Sequence, residues 1–244
     1  MRQNLIYLCF VAFLLVSCSQ EELVTGKHFG YLSLQKIEAQ LETVDYVPSR
    51  AVDADFYLEI HQEDGSLYNE MKYEPGTVPS KIDLPAGNYK LVAYNNAYQV
   101  YSSWQNSDLG EPIYYGELDF SIEEGKINSI SLKVPMVSFG VTYSLPEIFE
   151  TYFSNVKLTV TLGERIIELP HQVAGDSELI AYFMLPQNSD EGEFPSFSYQ
   201  ITALNEDNEH LEDQNSYGSE GKPIQAGHLY KISYVMETDS FICE

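Results

Sequence analysis

Between residues 118 and 134 the chain reads LDFSIEEGKINSISLKV. Two runs in it alternate with period two. Leu118, Phe120 and Ile122 stand against Asp119, Ser121 and Glu123, then Ile130, Leu132 and Val134 against Ser129, Ser131 and Lys133. Successive side chains of a strand point to opposite faces, so each run is a strand with one apolar and one wet face. Glu123-Glu124-Gly125-Lys126 between them has the acid and glycine chemistry of a tight turn and predicts a hairpin. The pattern spreads both ways. Upstream, Phe56, Leu58 and Ile60 alternate with Tyr57, Glu59 and His61, and Glu63-Asp64-Gly65 supplies a turn. Asn95-Asn96 closes a further strand over Tyr89–Tyr94. Downstream come Val137, Phe139, Val141 and Tyr143, then Val156, Leu158, Val160 and Leu162. Phe197, Tyr199, Ile201 and Ala203 follow, and last Tyr230, Ile232 and Tyr234.

About a dozen such strands predict a mainly β protein of antiparallel sheets packed on apolar cores. They are too many for one small sandwich and divide near Pro135. The expected architecture is two antiparallel β-sandwich domains in tandem, 29–134 and 135–244. One short helix is expected over 146–153. Pro146 suits the first helical position, Glu147 and Glu150 favour the early turns, and Ile148, Phe149, Tyr152 and Phe153 gather on one face. No longer period repeats as a solenoid or propeller would.

Composition narrows the function classes. The 244 residues carry 13 Lys and Arg against 37 Asp and Glu, a formal charge of −24, with 44% hydrophobic residues to build cores. The acidity is therefore not the mark of disorder. It excludes a nucleic-acid partner, which needs a basic stripe, and electrostatic adhesion to anionic lipid headgroups. Three cysteines in so long a chain exclude a disulfide framework.

The start of the chain reads as an address. Arg2 precedes an apolar run from Leu5 to Val16. At ~1.5 Å per residue that run is too short for a ~30 Å hydrocarbon core, and it has the shape of a secretory signal. Leu15-Val16-Ser17-Cys18 looks like a bacterial lipobox, which makes 1–17 a lipoprotein signal peptide and Cys18 the lipidated residue. Residues 18–28 are then an acidic tether. Several acyl chains on one cysteine anchor stably, so the lipid supplies the membrane partner. Ser19-Gln20-Glu21-Glu22 is similar to the acidic export signal of Bacteroidota surface lipoproteins, which gives an outer-membrane, surface-exposed location as the expectation.

No catalytic constellation emerges. His28, His61, His171, His210 and His228 form no pair with zinc-ligand spacing. Glu206, Asp207, Glu209, Glu212 and Asp213 lack the alternating acid order of a calcium loop, and acid runs are ordinarily solvated. Gly218-Ser219-Glu220-Gly221 is not a nucleophile elbow. The chain is expected not to be an enzyme and to take no cofactor or metal. The unusual feature is aromatic: Tyr98, Tyr101 and Trp104 lie in the polar stretch 95–108, with Tyr114 and Tyr115 just beyond. Such rings either stack on a glycan or anchor a protein partner, or they fold back and cap one end of the first sandwich.

The serial order of short motifs carries a resemblance. Gly30-Tyr31-Leu32-Ser33-Leu34, Ser49-Arg50-Ala51 before Asp55–Ile60, Leu84-Pro85-Ala86-Gly87-Asn88-Tyr89, and Pro112-Ile113-Tyr114-Tyr115-Gly116 before Phe120 occur in that sequence. This resembles a Bacteroidota lipoprotein family of a domain of unknown function, over nearly all the mature chain, departing at the inserted loop near 95–110. More remotely the layout is similar to the fimbrillins. Their resemblance implies an arginine-specific protease cut after the first strand, here at Arg50, and a donor strand from the next subunit filling the groove. The leading expectation is an adhesin-like or fimbria-associated binding lipoprotein. The alternatives are a glycan-binding lipoprotein of polysaccharide capture and a donor-strand subunit processed at Arg50.

Overall fold

The computed structural model describes residues 29–40, 56–170, 178–186, 194–235 and 240–243. The expected signal and tether, with Cys18 and Ser19–Glu22, and the candidate cut at Arg50 lie outside those residues. The architecture is mainly β, two sandwiches in tandem, each of two sheets. In the first, β1 (Phe29–Gln40), β4 (Ile82–Pro85) and β7 (Ile127–Pro135) form a three-stranded sheet in the order β4-β1-β7. It faces a four-stranded sheet, β3-β2-β5-β6, of β2 (Tyr57–Gln62), β3 (Leu67–Tyr73), β5 (Gly87–Tyr94) and β6 (Tyr115–Ile122). In the second, β8 (Ser138–Ser144), β11 (Ala181–Met184), β14 (Leu229–Val235) and β15 (Ser240–Cys243) run in the order β11-β8-β14-β15. Opposite lie β9 (Phe153–Leu162), β10 (Arg165–Pro170), β12 (Phe197–Asn205) and β13 (His210–Tyr217), ordered β10-β9-β12-β13.

The alternation is realised residue by residue. Phe56, Leu58 and Ile60 of one face join Leu91, Phe120, Ile122, Leu132 and Val134 in the first core. Val156, Leu158 and Val160 meet Phe197, Tyr199 and Ile201 in the second. At its centre the buried Phe139 stacks on Phe183 at 5.6 Å and on Phe197 at 5.8 Å, and meets Tyr230 edge-on at 5.8 Å. Offset and edge-to-face pairs of this kind add to the burial of the rings themselves.

The turn at 123–126 differs from the hairpin expected of it. β6 and β7 belong to opposite sheets, so the turn carries the chain across the sandwich. Its partner is the start of β1: Tyr31 N–H donates to Lys126 O at 2.9 Å, and Gly125 N–H to Phe29 O at 3.0 Å. Gly30 permits that approach, since a Cβ there would fall 2.3 Å from Glu123 O. β7 then pairs parallel with β1, and β8 likewise pairs parallel with β14. The sheets are otherwise antiparallel.

Among the described residues two α-helices flank the strands. α2 (Glu147–Tyr152) is the expected one, but Pro146 sits at its N-cap with an extended ψ of 146°, not inside its first turn. Phe149 is buried and stacks on Phe153 at 4.5 Å, whereas Tyr152 is exposed. α1 (Asn96–Val100), with a following 3₁₀ turn at Tyr101–Ser103, was not expected. At five residues it is too short to show periodicity. Its sign in the sequence is the cap, Asn95, whose side chain accepts from Tyr98 N–H at 3.3 Å.

Candidate functional site

The wet face of the β3-β2-β5-β6 sheet is organised in rows by its register. Tyr57 pairs with Tyr94 and Tyr94 with Tyr115, which sets three tyrosines side by side across three strands. One row along, Lys72, Glu59, Val92 and Glu117 are aligned. α1 begins straight after β5 and holds Tyr98 over this end of the sheet, stacked on Tyr115 at 4.6 Å and 5.5 Å from Tyr94. Tyr57 stacks on Tyr94 at 5.6 Å. Below the rings, Tyr94 OH donates to Glu59 Oε1 at 2.5 Å, and Lys72 Nζ reaches both that hydroxyl at 2.8 Å and Glu59 Oε1 at 3.1 Å. His61 Nε2 lies 3.0 Å from Glu59 Oε2, and its Nδ1 lies 2.9 Å from Gly65 O.

The charges follow from those contacts. Burial opposes ionisation of Glu59, but hydrogen bonds from Tyr94, Lys72 and His61 outweigh it and hold the carboxyl below its usual range. Tyr115 is pushed up to about 12 by burial, then by the neighbouring Glu117 carboxylate, to which its hydroxyl is hydrogen-bonded at 3.2 Å. Tyr98 is raised by burial and by Tyr101 and Glu117. Between these groups a hollow of about 490 Å³ has the nearly buried Val92 as part of its lining, with Glu59, His61, Tyr98, Gln99 and Tyr115 around it.

Beyond α1 the chain leaves the first sandwich and straps onto the second. Asp108 O accepts from Arg165 Nη2 at 2.6 Å, and Asn106 Oδ1 from Ile166 N–H at 3.2 Å. Leu109 O accepts from Tyr182 N–H at 2.7 Å. The Arg165 guanidinium lies 4.9 Å from the Trp104 ring, and Gly110 lets that ring approach so closely that a Cβ would come within 2.7 Å of it. Burial pulls the Arg165 pKa down from its ordinary value, with Asp108 working in the opposite direction. β11 completes the junction. Its inward residues Ala181 and Phe183 enter the second core, while Tyr182 on its other face enters the first. Under the strap a cleft of about 430 Å³ is lined by Tyr101, Trp104, Arg165, Phe183 and Phe194 among others.

The candidate aromatics therefore separate. Tyr98 and Tyr115 share the tyrosine face, and Tyr101 touches Tyr98 at 6.0 Å while also lining the cleft. Trp104 belongs to the strap, so the loop does not simply cap the first sandwich. Tyr114 is a correction: it is 5% exposed, meets Phe56 edge-on at 6.1 Å, and belongs to the first core. The inward phase of Leu118, Phe120 and Ile122, extended four residues back, already places it there. Tyr57, Tyr94 and Arg165 were missed. Tyr57 lies on the outward phase of β2, but nothing in the sequence pairs Arg165 with Trp104, so far apart in the chain. The acidic turn is organised by Asn205, whose Oδ1 accepts from Asp207 N–H and Glu209 N–H. Among the described residues no His, Cys, Asp and Glu are grouped to hold a metal ion. No helix among them is long and apolar enough to cross a membrane.

A family profile described as a domain of unknown function (DUF4493) matches residues 28–241. The match agrees with the resemblance carried by the Leu84–Tyr89 and Pro112–Phe120 motifs. A comparison with curated proteins gave no match. Among solved structures, a Bacteroides eggerthii protein assigned to cell adhesion superposes with a TM-score of 0.50 at 9% identity, over 85% of each chain. A Bacteroides thetaiotaomicron protein assigned to polysaccharide binding gives 0.47 at 12% identity, over 84% of this chain and 91% of its own. A fimbrial assembly protein of Parabacteroides distasonis gives 0.48 at 8% identity, over 88% and 98%. At these identities the likeness is one of fold.

Proposed function

This chain belongs to the DUF4493 family, and from that premise we propose that it is a lipid-anchored, surface-displayed protein that works by binding, in the manner of an adhesin, with no catalytic step. One observation carries the reading: the tyrosine face. In a chain this acidic, a partly exposed row of aromatic rings over a paired carboxylate is the surface best suited to a partner, because rings supply contact area at little entropic cost. The solved structures with related folds are assigned to adhesion, polysaccharide binding and fimbrial assembly, which is in keeping with it.

Two measurements test the two halves. Membrane fractionation of cells expressing Cys18→Ala is expected to release the protein, and protease shaving of intact cells to degrade the parent; retention and protection, respectively, refute anchoring and display. Adhesion of cells displaying Tyr98→Ala is expected to fall below that of the parent, and equal adhesion removes the tyrosine face from the function. For the glycan alternative the supporting feature is the cleft under the strap, where Tyr101, Trp104 and Arg165 offer rings beside a fixed donor set. For the donor-strand alternative it is the place of β1 between β4 and β7, since loss of β1 after a cut at Arg50 would open two strand edges at once. An N-terminus at acylated Cys18 in the cell-surface form, found by mass spectrometry, rejects that alternative.

A further inference from the structure

We propose that the hollow on the tyrosine face is a receptor for a cationic side chain, a lysine or arginine presented by a basic partner protein. The inference rests on the binding reading above and names the chemistry of its partner.

The molecule already holds one such cation beside the hollow. Lys72 Nζ stands 5.6 Å from the Tyr57 ring and 5.5 Å from the Tyr94 ring, with Glu59 Oε1 at 3.1 Å. An ammonium over aromatic faces with a carboxylate in reach gains from the ring quadrupoles and from the ion pair together. Across Tyr94 the same components recur. Tyr98 and Tyr115 are stacked and only half-buried, Glu117 is exposed beside Tyr115, and Glu59, whose second oxygen lies 3.0 Å from His61 Nε2, lines the same hollow. Among the described residues no lysine or arginine stands over Tyr98 or Tyr115. Lys90, the nearby cation, is engaged by Glu117 at 3.2 Å on the far strand. One flank of the row thus carries its own ammonium, and the other offers rings and carboxylates around an apolar lining at Val92.

Charge selects among occupants. A formal charge of −24 attracts a basic surface from a distance and repels an anionic glycan or a nucleic acid. A neutral glycan could donate hydroxyl hydrogen bonds to the carboxylates but brings no charge to pair with them, so its binding would respond little to salt. A cationic partner's binding must weaken as salt screens exposed charges over a Debye length of ~10 Å at 0.1 M.

The test titrates the mature chain, solubilised in non-ionic detergent, with a fluorescent penta-arginine peptide and with its uncharged penta-citrulline counterpart. Fluorescence anisotropy is followed at low salt and at about 0.3 M salt, where screening is far stronger. The expected result is saturable binding of the arginine peptide alone, weakened by salt. Tyr98→Ala and Glu59→Gln should each weaken it about five- to tenfold, within the range of a partly desolvated cation–aromatic contact. Tyr98→Phe, which keeps the ring, should bind as the parent does. Glu212→Gln, an exposed acid on the other sandwich, serves as the control for diffuse attraction. Equal loss in Glu212→Gln and Glu59→Gln overturns the proposal, as does equal binding of the citrulline peptide. If a neutral oligosaccharide binds in a Tyr98-dependent way and the arginine peptide does not, the cation reading fails while the binding face stands. If Tyr98→Ala changes neither peptide binding nor cell adhesion, both fail.

Discussion

Replacing Arg165 by methionine should unfasten the strap while leaving both sandwiches folded. Methionine keeps an unbranched apolar stem, so what is lost is the guanidinium. Its Nη2 donates to Asp108 O at 2.6 Å, whereas the 3.5 Å contact from Nη1 to Gln105 O is at the limit of a hydrogen bond and counts for little. A bond from a charged donor contributes about 1.5–3 kcal/mol, and the low end applies where the acceptor lies at a surface open to water. The contact with Trp104 at 4.9 Å adds about 0.5–1 kcal/mol. Partial burial of the guanidinium, whose Nε has no partner among the described residues, subtracts from both. The net is about 1–2 kcal/mol, equivalent to roughly a 5- to 30-fold rise in the opening of the strap. Amide hydrogen exchange resolves it: Tyr182 N–H, which donates to Leu109 O, and Ile166 N–H, which donates to Asn106 Oδ1, should exchange faster by about that factor. The chain has one tryptophan, so the emission of Trp104 reports the same opening without a second site to confuse it. Unchanged exchange at Tyr182 and Ile166 would refute the latch. A uniform increase through β9 and β12 would show instead that Arg165 supports the second sandwich.

The remaining predictions concern the cores, the crossover and acid. Phe139→Ala empties the centre of the second core and should cost about 3–5 kcal/mol, seen as a lowered thermal transition that leaves the first sandwich's Tyr114 and Phe56 environment intact. Gly30→Val sets a Cβ into Glu123 O, a backbone atom that cannot swing aside, and should destabilise the first sandwich by about 1–3 kcal/mol in a urea titration. Glu59 has a folded pKa below its unfolded one, so its contribution is complete above the unfolded value and is lost as pH falls through the folded one. Parent and Glu59→Gln should therefore differ most at neutral pH and converge in acid; a gap that persists at low pH means Glu59 acts through shape and not charge.

How much of this was legible depends on which physical quantity the sequence encodes. Side-chain phase was legible, because burial on one face imposes period two: the inward set Phe56, Leu58, Ile60 and the outward set Tyr57, Glu59, His61 follow from it directly. Even the placement of Tyr114 and Tyr115 on opposite faces was contained in the phase of β6. Partnership was not legible. Alternation says which face of a strand is apolar and nothing about which strand lies beside it, so Glu123–Lys126 read as a hairpin although its bonds go to β1. The tyrosine row has the same character, being created by register between β2, β5 and β6, which are far apart in the chain. α1 was hidden for another reason, since a helix of five residues is fixed by its cap and its packing and not by repeated turns.

The parallel pairs bear on how the first sandwich could be opened. β1 precedes the rest of its sandwich in the chain, yet its neighbours are β4 and, in parallel, β7, the last strand of the same unit. Contacts so distant in sequence carry a larger loop-closure cost than the local pairing of β2 with β3. β1 is also the middle strand of its sheet, with Leu32 fully buried under it. A central strand that pairs only with distant segments is separable in a way an interior strand of a hairpin is not: the facing sheet β3-β2-β5-β6 can pair without it, and its absence leaves a single slot between β4 and β7, with a polar edge on each side and an apolar floor. In the uncut chain β1 fills that slot and the sheet is complete. Were the chain cut at Arg50 and β1 lost, only another strand entering between β4 and β7 would satisfy both edges, and it would have to bring an apolar side chain to the position of Leu32. Adding a synthetic Phe29–Gln40 peptide to a chain lacking residues before Ala51 measures this: restored thermal stability is expected from the native peptide, and a peptide with Leu32→Asp should restore none. Equal rescue by both peptides would refute the slot.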